Sequence, residues 1–315
     1  MMSVSSEKGS VGILGVPLGF GAGQIGSELG VEAMRLSSVR GDSLAGHIAS
    51  LGYSVRDFGN VDVVRPDLPT NGDNPKHLPE MIESSKNMIA RVGEIMGEGS
   101  TPVILGGDHS IAIGTFSGVA KHFHEQDQEV GLIWFDAHAD INTPETSTSG
   151  NIHGMPLAVL LGEGPQELVE LGGFTPKLNK NYFAHVGARD LDAGEKDRIR
   201  SHDLRYHFFT MSEIDKRGML ACIEDAIAIA SRAPAGFAVT FDVDVIDPRF
   251  APGSGTLVRG GATYREAHLA LEVVAEHGGL RSFEIVEVNP LLDQSNITVE
   301  LAIELVLSAL GKTII

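Results

Sequence analysis

Six short apolar runs punctuate the chain, at 11–16, 101–105, 130–135, 182–186, 236–241 and 281–286. Each is too short for a helix and is bounded by polar or glycine-rich residues, which predicts buried strands. Between them the apolar positions recur every three to four residues, over 78–97, 219–230, 263–276 and 298–310, which predicts helices with one face turned to a core. Strand–helix alternation of this kind predicts an α/β fold, a mainly parallel sheet with helices on both faces. The Pro-, Asn- and Asp-rich stretch 66–75 reads as a surface loop before the helix that starts near Leu78. No linker, internal repeat or low-complexity tract divides the pattern. The expectation is a flexible segment over 1–10 followed by one domain over 11–315.

Composition narrows the class. The 315 residues are 42% hydrophobic and 21% charged, in the range of a globular protein with a large core. One cysteine, Cys222, leaves no intrachain disulfide to form. No apolar run reaches the length of a membrane span, and the first residues lack the apolar core of a signal peptide, so a cytoplasmic protein without a membrane partner is expected. The formal charge of −18 argues against nucleic acid as a partner, because phosphates would be repelled. It otherwise speaks to solubility.

The chemistry is concentrated where the apolar runs stop. Asp136-Ala-His138-Ala-Asp140 follows the run 130–135, Asp242-Val-Asp244 follows 236–241, and His109 in Gly106-Gly-Asp-His109-Ser follows 101–105. Open α/β sheets place their sites at the carboxyl ends of strands. If the strand at 130–135 frays gradually, its alternate side chains keep one direction and Asp136, His138 and Asp140 converge. An Asp at a strand end is ordinarily a turn or a cap, so the argument lies in the set. Four carboxylates and two imidazoles, with no thiolate, suit Mn²⁺ or a similar hard divalent ion. Six donors are generous for one ion, and two ions roughly 3.5–4 Å apart would use them naturally. Asp108 and Asp247 fall out of this phase and read as a loop brace and a turn residue.

Gly106-Gly-Asp-His-Ser110, Asp136-Ala-His-Ala-Asp-Ile-Asn142, Ser149-Gly-Asn-Ile-His-Gly154, Phe241-Asp-Val-Asp-Val-Ile-Asp-Pro248 and Glu287-Val-Asn-Pro290 together resemble the signature segments of the ureohydrolase family, most of all its arginase branch. The resemblance runs from about residue 11 to the C-terminus. It implies a three-layer α/β/α sandwich around a central parallel sheet. It also implies hydrolysis of a guanidinium group, that of L-arginine to L-ornithine and urea, by hydroxide bridging two Mn²⁺ ions per subunit. His109, Asp136, His138, Asp140, Asp242 and Asp244 would be the metal ligands. Homo-oligomers, trimers or hexamers, are common in the family.

The resemblance further implies roles beyond the metals. His153 would be the proton shuttle, Asp140 a relay, and Glu287 the partner of the substrate guanidinium. Asn142, Ser147 and Ser149 would hold the substrate α-carboxylate, while Asp192, with Glu195 nearby, would hold the α-ammonium. A serine stands at position 147 where threonine is common, and it keeps the hydroxyl. An agmatinase or guanidino-acid hydrolase would share the metal centre and differ in the loop 142–149. A two-metal phosphoesterase would need a basic phosphate clamp near these motifs. A non-catalytic amino-acid-binding protein would be expected to lack a ligand or His153.

Overall fold

The structure, a computed structural model, describes residues 8–67 and 73–314. Most of the segment expected to precede the domain, and the middle of the loop 66–75, therefore lie outside the described residues. Eight strands form one sheet: β1 Ser10–Val16, β2 Ser54–Asn60, β3 Ser100–Gly106, β4 Gly131–Phe135, β5 Phe183–Val186, β6 Phe208–Phe209, β7 Phe237–Asp242 and β8 Leu280–Val286. Their order is β2-β1-β3-β8-β7-β4-β5-β6, and every neighbouring pair is parallel.

The six apolar runs are the six inner strands, within a residue or two at each end. The two edge strands carried no such signal. β2 buries only Phe58 of its seven residues, and β6 is two residues long. A half-exposed edge needs no apolar run, and a two-residue strand is too short to show alternation.

Each inner strand is buried on both faces, as a parallel sheet under helices requires. Ile133, Phe135, Val239, Phe241, Phe283 and Ile285 face a core with the helices Met219–Ala230, Tyr264–His277 and Ile297–Ala309. Leu132, Trp134, Ala238 and Val286 face the opposite core, which includes the helices Leu78–Gly97 and Ala112–His124. This is the three-layer α/β/α sandwich. The longest helix shows why it packs: Met81, Ser84, Ser85, Met88, Val92, Ile95 and Met96 are its buried positions, a stripe at helical spacing. Full burial of one large apolar side chain contributes about 1.5–3 kcal/mol, and the sheet's two faces gather dozens.

The strand order decides where the chemistry meets. β3, β8, β7 and β4 are consecutive neighbours, so the residues following their carboxyl ends come together at the middle of one sheet edge. The turn after β3 is tight enough to require glycine. A Cβ on Gly107 would sit 1.7 Å from the Leu18 carbonyl oxygen, and the adjacent Asp108 amide donates to that oxygen at 2.8 Å.

Candidate metal centre

All six residues with metal-ligating potential meet at this edge. His109 Nδ1 lies 3.0 Å from Asp136 Oδ2, 3.2 Å from Asp140 Oδ2 and 3.3 Å from Asp242 Oδ2. His138 Nδ1 lies 3.3 Å from Asp136 Oδ1 and 3.1 Å from Asp244 Oδ2. Five of the donors thus form two groups, His109–Asp136–Asp242 and Asp136–His138–Asp244, each compact enough to hold one ion, and Asp140 stands outside both, against His109. Asp136 belongs to both, one oxygen to each.

The route by which they converge differs from simple strand alternation. β4 ends at Phe135, and residues 136–143 form a loop. Asp136 Oδ1 accepts the His138 amide at 2.7 Å, an Asx-type turn that folds the chain back on itself. Asp140 has a φ of 51°, in the left-handed region, and Glu287 has a φ of 62°. Strained backbone at two carboxylates of one site is what functional sites accumulate. Asp242 is followed by a single 3-10 turn, Val243–Val245, and its Oδ1 caps the Asp244 amide at 2.8 Å.

The carboxylates are anchored as well as gathered. Asp136 Oδ2 accepts Trp134 Nε1 at 3.0 Å, and Asp244 accepts the Ala137 amide at 3.1 Å and the Thr256 hydroxyl at 2.9 Å. The Arg189 guanidinium donates to the carbonyls of Asp244, Val245 and Val258 at 2.6, 3.1 and 2.7 Å, tying the loops after β5 and β7 together. Asp108 accepts the amides of Gly21 and Ala22 at 2.8 and 3.1 Å and takes no part in the cluster, the brace expected of it. Asp247 accepts the amides of Arg249 and Gly260, at 3.1 and 2.8 Å, as a turn residue does.

The electrostatics ask for cations. Burial and the neighbouring Asp136 carboxylate push Asp140 up to about 7, and burial with Asp244 and Asp136 raises Asp242 well above the usual range. Asp136 is held well below that range: burial opposes its charge, but the His109 and His138 imidazoles outweigh it. Both histidines are raised against burial by the carboxylates facing them. His109 Nδ1 is buried without a well-formed hydrogen bond although three carboxylate oxygens surround it. An orphaned nitrogen aimed at a ring of oxygens, in an all-oxygen and imidazole donor set, fits a hard divalent cation.

Above the cluster opens a cavity of about 260 Å³ lined by His138, Asp140, Asn142, Ser149, His153, Gly154, Asp190, Asp192, Glu195, Asp242 and Thr256. His153 Nδ1 is 3.3 Å from Glu287 Oε1, which also accepts the His109 amide at 3.0 Å. Burial opposes its charge, but Glu287, Asp108 and Asp140 raise His153 to about 9. Asp192 caps the helix Ala193–Ser201 and accepts Asn142 Nδ2 at 2.8 Å. Glu195 lines the cavity, yet its two carboxylate oxygens hold the backbone amides of Asp192 and Ala139. The Ser147 and Ser149 hydroxyls accept the amides of Gly150 and Asn151 at 2.9 and 3.2 Å, which leaves each O–H proton free to donate. Ser147 lies outside the cavity wall.

Sequence reasoning missed Asp190 and Thr256 in the wall, and Trp134, Thr240 and Glu284 beneath the ligands. Glu284 did leave a signal, a charge inside the apolar run 281–286. Thr240 left none, because threonine is ordinary in a strand.

Comparison with known proteins agrees with this geometry. The profile described as the Arginase family matches residues 9–311. An arginase of Brevibacillus brevis is 42% identical over 306 residues, 97% of this chain and 99% of that protein. The structure of the Bacillus caldovelox arginase superposes with a TM-score of 0.90 at 40% identity, covering 97% of this chain and 99% of that one. That of the Entamoeba histolytica arginase, in complex with L-ornithine, superposes with a TM-score of 0.86 at 29% identity, covering 96% and 99%.

Proposed function

This chain belongs to the arginase family, and we propose that two Mn²⁺ ions per subunit, held by His109, Asp136, His138, Asp140, Asp242 and Asp244, serve its hydrolysis of L-arginine to L-ornithine and urea. The observation that supports this most is the pair of three-donor groups sharing Asp136 at a cavity that Asn142, Ser149 and Asp192 also line. When bound, such ions act as Lewis acids that make water a nucleophile near neutral pH.

The protein's own groups do the rest. Glu287 is the partner we assign to the planar guanidinium, the pairing a carboxylate makes best. The serine hydroxyls at 147 and 149 and the Asn142 amide donate to the α-carboxylate, and Asp192 accepts from the α-ammonium. Opposite charges at the two ends of the amino-acid head fix the substrate without touching the reacting carbon. Asp140, beside the site, serves as a proton relay. His153, with Nδ1 engaged by Glu287, hands a proton from Nε2 to the departing amine. Glu195 positions Asp192 and Ala139 through its bonds to their amides.

Among the described residues no helix is long and apolar enough to cross a membrane. We also take residues 11–315 as one ureohydrolase domain assembling as a trimer or hexamer, which gel filtration with light scattering tests. The deciding experiment for function is urea release from L-arginine, agmatine and guanidino acids, with metal analysis of the same sample. L-arginine as the preferred substrate with two manganese per chain is expected. A preference for agmatine would move the assignment to another ureohydrolase.

A further inference from the structure

One buried carboxylate has no part in the reaction just described. Glu284 stands in the middle of β8, 4% exposed, and pairs with no lysine or arginine among the described residues. Taking a carboxylate out of water costs several kcal/mol unless other groups compensate. Burial does push Glu284 up, and two threonine hydroxyls oppose that shift. Thr240 Oγ1 donates to Glu284 Oε1 at 2.8 Å, while Thr115 Oγ1 lies 2.5 Å from Oε2 and 3.0 Å from the Ile111 carbonyl oxygen, with one proton for the two. Thr240 lies directly across from Glu284 in the β7–β8 ladder, two residues before Asp242. Its Oγ1 is also 3.0 Å from Nε2 of His109.

Counting protons along this chain assigns the histidine. Glu284 Oε1 accepts from Thr240 whether Oε2 is ionised or carries a proton toward Thr115, and a threonine hydroxyl has one proton to give. Thr240 gives that proton to Glu284, so toward His109 it can only accept. Nε2 must therefore carry the imidazole proton, and the lone pair of the neutral ring falls on Nδ1. That is the atom surrounded by Asp136, Asp140 and Asp242. The ring has little freedom to do otherwise, since it is 1% exposed and stacked on Trp134 with centroids 4.2 Å apart.

We propose that Glu284, acting through Thr240, locks His109 in the Nε2–H tautomer and so prepares Nδ1 as a metal donor. Glu284 and Thr240 are positioning residues, hidden in the core behind the ligand. The inference rests on the metal reading above. The second donor group provides an internal control. His138 is 26% exposed in its side chain, lines the cavity, and has no such chain behind it among the described residues.

Glu284→Gln tests this with almost no change of shape. The carboxamide can donate to Thr240, which frees the threonine proton for His109 Nε2 and favours the wrong tautomer. Apo full-length protein is titrated with Mn²⁺ by calorimetry, comparing wild type, Glu284→Gln, Thr240→Val and Thr240→Ser. Wild type should take two ions. Glu284→Gln and Thr240→Val should each weaken one of the two sites about 10–100-fold, the range for outer partners of metal-bound histidines, and leave the other unchanged. Thr240→Ser keeps the hydroxyl and should bind as wild type does. Should Glu284→Gln fail to fold by circular dichroism, the two Thr240 variants decide alone.

Wild-type affinity at both sites in the folded Glu284→Gln or in Thr240→Val overturns the inference. So does equal weakening of both sites, or a Thr240→Ser variant as impaired as Thr240→Val. A wild-type protein that binds no manganese overturns the metal reading instead.

Discussion

The metal centre and the loop 141–151 both line one cavity, and they are built by different rules. His109, Asp136 and Asp244 are at most 1% exposed, and the aspartates are held by backbone amides or the Trp134 indole as well as by the His109 and His138 imidazoles. Beyond the buried Ile141, Asn142 and Thr143 the loop exposes Glu145, Thr148 and Ser149, and it is held there by polar bonds. Thr146 bonds Asn142 at 2.8 Å, Asn74 Nδ2 reaches the Pro144 carbonyl at 2.6 Å, and Lys76 Nζ reaches Asn151 Oδ1 at 2.8 Å. The centre is rigid because every alternative leaves a buried charge unpaired. The loop is adjustable because each of its bonds is worth only about 0.5–1.5 kcal/mol and water can replace it. The proposed function sets reaction chemistry on the first kind of structure and substrate choice on the second.

The strongest challenge to this contrast is Asp242→Ala. Removing a ligand from the rigid side should lower urea release about a thousandfold or more, since charge stabilisation by a metal is worth several kcal/mol. Manganese content should fall with it. His153→Asn cuts between the two sides. Turnover should drop roughly 10²–10⁴-fold, the usual contribution of a positioned acid or base, with both ions retained. A variant that lost its manganese would show His153 to be part of the metal scaffold.

Asn142→Ala probes the adjustable side. Losing a hydrogen bond to a charged group costs about 1.5–3 kcal/mol, so KM for L-arginine should rise about 10–100-fold while agmatine hydrolysis and metal content stay constant. A matching loss with agmatine would tie the loop to the metal centre after all.

Acid should act on the centre and spare the loop. Asp140, at about 7 without metal, is protonated below that value, and Asp242 is raised well above the usual carboxylate range, so protons there compete with cations. Manganese affinity should therefore fall as pH drops through about 7, by roughly tenfold per pH unit for each proton the ion displaces. Dialysis at stepped pH with metal analysis reads this directly, and pH-independent retention would contradict it. The smallest effect is expected from Asn74→Ala, which removes one bond to the loop at Pro144. KM for L-arginine should rise about two- to tenfold, seen in steady-state kinetics, with the unfolding temperature nearly unchanged.

Much of this site is legible along the chain. His109, Asp136, His138, Asp140, Asp242 and Asp244 stand out because charged residues stop apolar strands abruptly, and that contrast is local. The inner strands and the long helices are legible for the same reason, since burial imposes a period on neighbouring residues. β2 escapes because an exposed edge is under no such pressure, and Asp190 and Thr256 escape because their motifs carry no period at all. The Asx-type turn at Asp136 and the left-handed Asp140 also escape, although they bring about the convergence that strand alternation alone suggests.

What the amino-acid order settled on its own is the list of chemical parts and the fold class that receives them: hard oxygen and imidazole donors at the ends of buried parallel strands. Which strands lie side by side, how Asp136 comes to serve both donor groups, and why an acid like Glu284 can be buried behind His109 were decided only in three dimensions. The reason is that hydrophobic period and turn chemistry act between residues close in the chain. Pairing of β7 with β8, and the hydrogen bonds across it, joins residues more than forty positions apart whose energies exist only once the sheet has closed around them.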